Sequence, residues 1–445
     1  MPETKRNVIW ILGDQHRAQM LGCNGDPNLS TPNIDRLASV GMNFESAVAG
    51  FPVCCPFRGS MLTSRYPHEC VPWNDYRMPP ETPTIAHALR EHGYHTAYFG
   101  KWHLDAHDKS LAKRSAHHIV PPERRGGFDK WIGYENNNAQ WDSWVHGTGM
   151  EEPQRLPGYE TDCLTDMFIE HLQGRAKEPG QPFFAALSVQ PPHTPYVAPE
   201  KWMRRHRPAE VQLRPNVPRI PSVEPVARRE LAGAHAMVEN LDWNVGRIVA
   251  ALERNGLADD TYIVFFSDHG DMHGSHGYFR KNVPFEESLR IPFIIGAAGS
   301  LGTRYNSPSG RVPAVVNHVD IAPTTLGLCD IETPEWMRGF DYSGLAQRGM
   351  KCDIPPDSAY IQSDTPTTDR TLDGPWPWRG VVTVDNWKYA CLENQPWLMF
   401  DLSDDPYEQR NLALSSKARV ERRRLHDRLR QWMADIGDEF PLPNI

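Results

Sequence analysis

The sequence lacks several features that would decide its class at once. None of its 445 residues belongs to an apolar run of about 20, so no helix is expected to span a membrane. The apolar stretch Val8 to Leu12 near the N-terminus is too short for the core of a secretory signal and is followed by charge. A cytoplasmic protein with reduced thiols is therefore expected, without a membrane partner. No Cys-x-x-Cys pair occurs, which argues against a zinc knuckle or a thioredoxin-type site, and the eight cysteines are too dispersed for a disulfide framework. An excess of positive charge is missing as well. Lysine and arginine number 47 against 56 acidic residues, a net charge of −9, which speaks against a nucleic-acid partner. There is no internal repeat and no low-complexity segment. What remains is a globular composition, 39% hydrophobic, with 40 prolines that imply many rigid connections.

Short apolar runs alternate with helical patterns along the first 340 residues. Strands are expected at 7–12 (NVIWIL), 94–100, 182–190, 261–267 and 291–297. Between them, TPNIDRLASVG reads as a helix with Thr31 at the N-cap, Pro32 in the first turn and Gly41 past the end. TIAHALREHG repeats that form from Thr84 to Gly93. Leu241, Val245, Ile248, Val249 and Leu252 mark one face of a further helix. This alternation predicts an α/β fold, a largely parallel sheet covered by helices on both faces. After about residue 340 the pattern changes to short strands, YIQS, GVVTV, WKYAC and LMFDL, with an antiparallel look. A last helix carries Leu425, Leu429, Trp432, Met433 and Ile436 on one stripe and the run Arg422 to Arg424 on a solvated face. The expected division is a catalytic domain over 1–340 and a small α+β subdomain over 341–445.

Four of the strands run straight into residues capable of chemistry: Asp14 and Gln15; Lys101 and His103; His193; and Asp268 and His269. Ligands of an open parallel sheet bind beyond the carboxyl ends of its strands, so these distant residues should converge on one edge. Asp14, Gln15, Asp268 and His269 offer oxygens and one imidazole, a set suited to a hard divalent cation rather than to structural zinc. Lys101, His103, His193 and Lys281 are cations or proton donors, and lysines beside a metal point to an anionic substrate. Taken singly, each would be an ordinary cap, surface lysine or structural histidine.

The nucleophile candidate lies in PVCCPFRGSMLTSRYPH, where Cys54, Pro56 and Arg58 open a loop-to-helix turn whose amides would favour a bound anion. Cys54-x-Pro56-x-Arg58 followed by MLTSRYPH resembles the signature of the type I sulfatases, of the alkaline phosphatase superfamily. The resemblance extends to TPNIDRLASVG, YHTAYFGKWH, PPHTPY, NLDWNVGRI, FSDHGD, KNVPFEESLRIPFII and the closing FDLSDDPYEQRNLA, and so covers nearly the whole chain.

The resemblance implies an alkaline phosphatase-like sheet and the hydrolysis of a sulfate monoester, on a small molecule or an oligosaccharide. It implies that a separate formylglycine-generating maturation enzyme oxidises Cys54 to Cα-formylglycine, while Cys55 stays a thiol. The aldehyde would hydrate, one hydroxyl would attack sulfur, and loss of the second hydroxyl's proton would expel sulfate. By motif, Arg58 would hold the hydrate, Lys101 and Lys281 the sulfate oxygens, His103 would take the proton that releases sulfate, and His193 would serve the leaving oxygen. Asp14, Gln15, Asp268 and His269 would hold one divalent metal, calcium in the first place and manganese or magnesium as alternatives. Gln15 and His269 stand where many sulfatases carry Asp and Asn and look more like phosphonate monoester hydrolases, which keeps a phosphonate monoester or phosphodiester hydrolase as the alternative. Ser64 replaces a common glycine, which calls for a local backbone adjustment. An unmatured protein that keeps the fold, or a redox protein using Cys54 and Cys55, are the readings from other classes. Asn74, His273, His276 and Arg280 neighbour the motifs and are candidates for substrate contact, with Trp73, Trp141 and Trp144 as possible stacking surfaces.

Overall fold

The apolar runs become the middle of a ten-stranded sheet in the computed structural model, which describes residues 5–110, 112–299, 310–346, 353–364 and 377–445. In chain order the strands are β1 (Asn7–Gly13), β2 (Met42–Val48), β3 (His95–Lys101), β4 (Lys130–Tyr134), β5 (Trp144–Gly147), β6 (Met150–Arg155), β7 (Phe183–Ser188), β8 (Thr261–Ser267), β9 (Phe293–Ala297) and β10 (Gly310–Asn317). Their order across the sheet is β10-β2-β9-β8-β1-β7-β3-β4-β5-β6. The central four, β8, β1, β7 and β3, are mutually parallel. Residues of β1 alternate between two cores: Val8, Trp10 and Leu12 enter one, Ile9 and Ile11 the other. A strand buried on both faces needs no polar alternation, which is why these segments read as plain apolar runs.

The parallel expectation fails at β9, which pairs antiparallel with both β8 and β2. A buried apolar run specifies a strand but carries no sign of its direction. The helix predicted from TPNIDRLASVG is α1 (Pro32–Val40), but Thr31 does not cap it. Thr31 Oγ1 bonds Asp35 at 2.9 Å, and the amides of Asn33 and Ile34 donate to Asp242 at 3.0 and 2.8 Å. The cap thus comes from the long helix Glu224–Arg254, which buries Leu241, Val245, Ile248 and Leu252. Thr84 does cap its helix, α3 (Ile85–Glu91), accepting from the Ala86 amide at 3.2 Å.

A second sheet, antiparallel throughout, is built from β11 (Ser358–Ser363), β12 (Trp378–Thr383), β13 (Trp387–Leu392) and β14 (Gln395–Asp401). The helix Arg419–Ile436 lays Leu425, Leu429 and Met433 against Tyr360, Val381, Tyr389 and Met399. Upstream, Tyr342 and Ala346 still pack in a core of the large sheet. Ala359, Ile361 and Trp378 join Val48, Leu289 and Val315, so the two sheets share an apolar seam. Ala390, Leu398 and Phe400 pack on Met272, Val283 and Phe285, which flank Lys281 in the chain. Among the described residues no helix is long and apolar enough to cross a membrane.

Candidate active site

Strand register brings the site together. Gly13 of β1 is level with Ser267 of β8, and Gly100 of β3 with Ser188 of β7, so Asp14, Asp268 and Lys101 emerge at one edge. Gly100 has φ +104°, and a Cβ there would lie 1.9 Å from the Ser188 carbonyl oxygen, so only glycine allows this approach. Two non-glycine residues at the same edge also hold left-handed backbone, Gln15 (φ 67°) and His103 (φ 56°), a cost that folded chains retain mainly where a side chain must be aimed.

Cys54 is the first residue of α2 (Cys54–Thr63), whose side chains are all buried. Pro56 falls in the first turn, where its missing N–H costs no helical bond. Arg58 follows Cys54 by four residues and therefore shares its helix face. The backbone adjustment expected at Ser64 is a left-handed C-cap (φ 52°), held by its hydroxyl donating to the Val319 carbonyl at 2.6 Å. An ammonium group, an imidazole and a carboxylate surround the Cys54 sulfur. Lys281 Nζ is 3.0 Å from it and His269 Nε2 3.2 Å, with Asp14 Oδ1 at 3.7 Å. Burial and the Asp14 charge push the Cys54 thiol up. Lys281, Lys101 and His269 more than reverse this and hold it well below the usual thiol range.

Arg58 is fully buried and fixed on every side. It reaches Asp14 Oδ2 at 3.3 Å and Asp268 Oδ2 at 3.1 Å, and Nη1 donates to the Lys101 carbonyl and Ser188 Oγ, both at 2.9 Å. Lys101 Nζ donates to Asp14 Oδ2 at 2.6 Å. Burial works against the charge on Asp14, but Lys101, Arg58 and Lys281 hold its carboxyl well below the normal range. Asp268 is pushed the other way by burial and by the Asp14 charge. Two adjacent buried carboxylates repelling each other are what a bound cation relieves.

One ligand atom each from Asp14, Cys54, Asp268 and His269 lies within 4.8 Å of the other three. His269 Nδ1 donates to the Gly270 carbonyl at 2.9 Å, which leaves Nε2 with its lone pair toward the cluster, the arrangement of a metal-binding histidine. Gln15 is oriented by a chain of fixed polarity. Arg280 can only donate, giving to Glu230 at 2.8 and 3.0 Å and to the Tyr196 oxygen at 3.0 Å. Tyr196 therefore donates to Asp271 Oδ2, which also accepts from Gln15 Nε2. With its nitrogen so held, Gln15 turns Oε1 to Lys281 Nζ at 3.3 Å, on the side of the cluster. These four residues fit a divalent cation on the chemistry of their donors: carboxylate and amide oxygens with one imidazole.

His193 sits at the rim, its Nδ1 donating to the Thr194 carbonyl at 2.7 Å, so Nε2 is the nitrogen left for a ligand. Burial, against Asp14 and with Lys281 and Lys101, pushes its pKa down to about 3, so the ring is neutral here. His103 Nε2 meets Asp75 Oδ1 at 3.2 Å; burial opposes its charge, yet Cys55 and Asp75 raise its pKa well above the ordinary histidine value. Asn74 is half-buried beside Asp75, and its Oδ1 has no hydrogen-bond partner among the described residues.

The other neighbours divide differently. His273 is buried beside Asp271 and Tyr196, and Arg280 is engaged by Glu230, so both support the site from behind. His276 stacks on Phe285 at 4.2 Å and belongs to a separate cluster with Glu287 and Glu408. Trp73 and Trp141 are both exposed, beside Tyr76 and Tyr159 respectively, whereas Trp144 packs on His117. Ser188, Asp75, Asp271 and Tyr196 had no assigned role in the sequence. Asp271 and Tyr196 lay inside quoted motifs, FSDHGD and PPHTPY, and their position at strand ends was the available signal.

Comparison with known proteins agrees with this geometry. The family model for sulfatases matches residues 6–331, and that for the C-terminal part of N-sulphoglucosamine sulphohydrolase matches 274–435. The ulvan-active sulfatase of Formosa agariphila is 34% identical over 98% of this chain and 83% of its own. The solved structure described as sulfatase YidJ of Bacteroides fragilis superposes with a TM-score of 0.84 at 27% identity, over 99% of this chain and 98% of that one. The phosphonate monoester hydrolase of Agrobacterium radiobacter shares the fold, with a TM-score of 0.76 at 21% identity over 97% of this chain and 96% of that one. With its matched family, its strand-end cluster and its Cys-x-Pro-x-Arg helix, the chain belongs to the sulfatase family.

Proposed function

We propose that the protein hydrolyses a sulfate monoester of a small molecule or oligosaccharide, with Cys54 matured to formylglycine by a formylglycine-generating enzyme. The observation that carries this reading is the placing of Cys54 at the start of α2, within 3.0 Å of Lys281 and 3.2 Å of His269, with Arg58, Lys101 and Lys281 against only Asp14 and Asp268. Conversion of the thiolate to an aldehyde removes one negative charge from this set. The surplus of positive charge then suits a sulfate group, which carries its charge on peripheral oxygens.

Asp14, Gln15, Asp268 and His269 would hold one divalent ion, calcium, with manganese or magnesium as alternatives. Such an ion supplies Lewis acidity and lowers the pKa of a hydroxyl beside it. The protein's own groups do the rest. Arg58 is already saturated by Asp14, Asp268, Ser188 and the Lys101 carbonyl, so it fixes the carboxylates and the position of residue 54 rather than travelling to a ligand. Lys101 and Lys281 present their ammonium groups to the sulfate oxygens. His193 keeps one proton on Nδ1, donated to the Thr194 carbonyl, so it serves the ester oxygen once Nε2 has taken up a second proton from solvent, which it then passes to the leaving oxygen. His103, with Asp75 behind it, moves the proton that frees sulfate from residue 54.

Gln15 and His269 favour a second reading, hydrolysis of a phosphonate monoester or phosphodiester on the same groups. Rates for one aryl group as its sulfate and as its phosphonate monoester separate the two on matured enzyme. A higher kcat/KM for the sulfate is expected; a higher value for the phosphonate overturns the first reading in favour of the second. The activity named for the ulvan-active relative supports testing sulfated oligosaccharides beside the aryl sulfate.

A further inference from the structure

Cys55 follows the nucleophile position directly, yet its sulfur serves a different set of groups. It is fully buried and accepts from the Asp75 amide at 3.2 Å. His103 is buried too, and its Nε2 lies 3.2 Å from Asp75 Oδ1. One ligand atom each from Cys55, Asp75 and His103 lies within 4.8 Å of the other two. Asp75 is the exposed member, its side chain 67% accessible on a left-handed residue (φ 57°) and so free of packing that would oppose a small shift. Zinc bonds of about 2.0–2.3 Å hold ligand atoms within about 4 Å of each other, so a closure of about an ångström at Asp75 completes the set.

The two neighbouring clusters differ in kind. Asp14, Gln15, Asp268 and His269 are oxygen-rich once Cys54 has lost its sulfur, whereas Cys55, His103 and Asp75 give sulfur, nitrogen and oxygen. Thiolate and imidazole favour zinc and its borderline-soft relatives over calcium and magnesium.

We propose that Cys55, His103 and Asp75 form a second, inhibitory metal site, which takes zinc or a similar borderline-soft divalent ion and withdraws His103 from proton transfer. On binding, the Cys55 thiol and the protonated His103 ring each release one proton to solvent, the sulfur and the freed ring nitrogen donate electron pairs to the metal, and Asp75 supplies a carboxylate oxygen. A fourth position faces solvent through the exposed side of Asp75. The site itself follows from these three residues; only its inhibitory effect rests on the function proposed above.

Cobalt(II) tests the site without any turnover. In Cys54→Ala the hard-ligand cluster has no sulfur, so a sulfur-to-cobalt charge-transfer band reports Cys55 alone. The band is expected to saturate at one cobalt per chain, to be displaced by zinc, and to vanish in Cys54→Ala/Cys55→Ser. Because Cys55 is buried, Asp75→Asn provides a surface variant that leaves the core intact; it should weaken cobalt binding about tenfold or more, at least the cost of losing an outer-shell partner. Absence of the band in Cys54→Ala, its survival in the Cys55→Ser double variant, or an unchanged affinity in Asp75→Asn overturns the site. A second arm uses matured enzyme saturated with calcium. Zinc should lower kcat, and Cys55→Ser should keep its rate at the same zinc concentration. Equal inhibition of both proteins overturns the inhibitory role even where the cobalt band is present, and a matured protein without sulfatase activity leaves the cobalt result standing.

Discussion

Beyond the central strands, Arg58, Lys101 and Lys281 face Asp14 and Asp268 around Cys54. At the seam between the two sheets lies another buried cluster. There Lys388 Nζ is 3.0 Å from Glu286 and also pairs with Glu408, while Glu287 accepts from Arg214 and Asn216, both at 2.8 Å. Both clusters combine buried cations with buried carboxylates. In the seam the three carboxylates meet as many cations, Lys388, Arg214 and Arg290, the last 3.9 Å from Glu286, and Lys388 ties Glu408, beside the small sheet, to Glu286, beside the large one. In the strand-end cluster the cations exceed the carboxylates, and the surplus converges on one side chain. Internal balance marks a structural staple; a directed surplus marks a place for an anion.

The sharpest way to break this contrast is Cys54→Ala. It should lower kcat by a factor of about 10⁴ or more, as removal of a nucleophile does, while the thermal midpoint moves little. Next is Lys388→Met, which leaves Glu286 and Glu408 buried without their cation. It should cost about 3–5 kcal/mol of stability in denaturant titrations, with kcat per folded molecule unchanged. Lys281→Ala should show the opposite signature, a loss of about 10²–10³ in kcat on an aryl sulfate with stability nearly kept. A large loss of turnover in Lys388→Met, or of stability in Lys281→Ala, would erase the distinction between the clusters.

Glu287 gives a smaller effect with a defined pH window. Burial opposes its charge, but Arg214 and Asn216 hold its pKa down to about 2, from an ordinary value of 4.5. A folded-state pKa below the unfolded one means that the unfolded chain binds more protons in this range. The pairing therefore contributes its full stability above about pH 4.5 and loses it as the pH falls toward 2, about 3 kcal/mol in all. The gap in thermal midpoint between the native chain and Glu287→Gln should be widest at neutral pH and narrow steadily as the pH falls from about 4.5 toward 2. A gap independent of pH would remove Glu287 from the charge balance of the seam.

The strand-end cluster was more legible in the sequence than the seam. Asp14, Lys101, His193 and Asp268 each follow a buried apolar run, and parallel strands deliver such residues to one edge whatever their separation along the chain. The turn to short antiparallel strands after residue 340 was legible from its alternation and turn residues. The direction of β9 was not, because a strand buried on both faces has no asymmetry to read. Nor was the cap of α1, where Asp242 reaches in from a helix two hundred residues away while Thr31 bonds Asp35 instead. Asp75, Ser188 and Tyr196 escaped notice for a related reason: they act through other side chains, and such partners depend on tertiary placement rather than on spacing. Ser64 shows the reverse case, a departure in the motif that its left-handed cap and the Val319 carbonyl explain.

The central claim is that residue 54 does its work as an aldehyde. Peptide mass spectrometry across residues 50–65, on protein made with and without the maturation enzyme, tests it most directly when paired with rates on an aryl sulfate. The account predicts replacement of one sulfur and two hydrogens by one oxygen at Cys54, an intact thiol at Cys55, and a rate proportional to the converted fraction. Full sulfatase activity in protein whose Cys54 remains a thiol would contradict it.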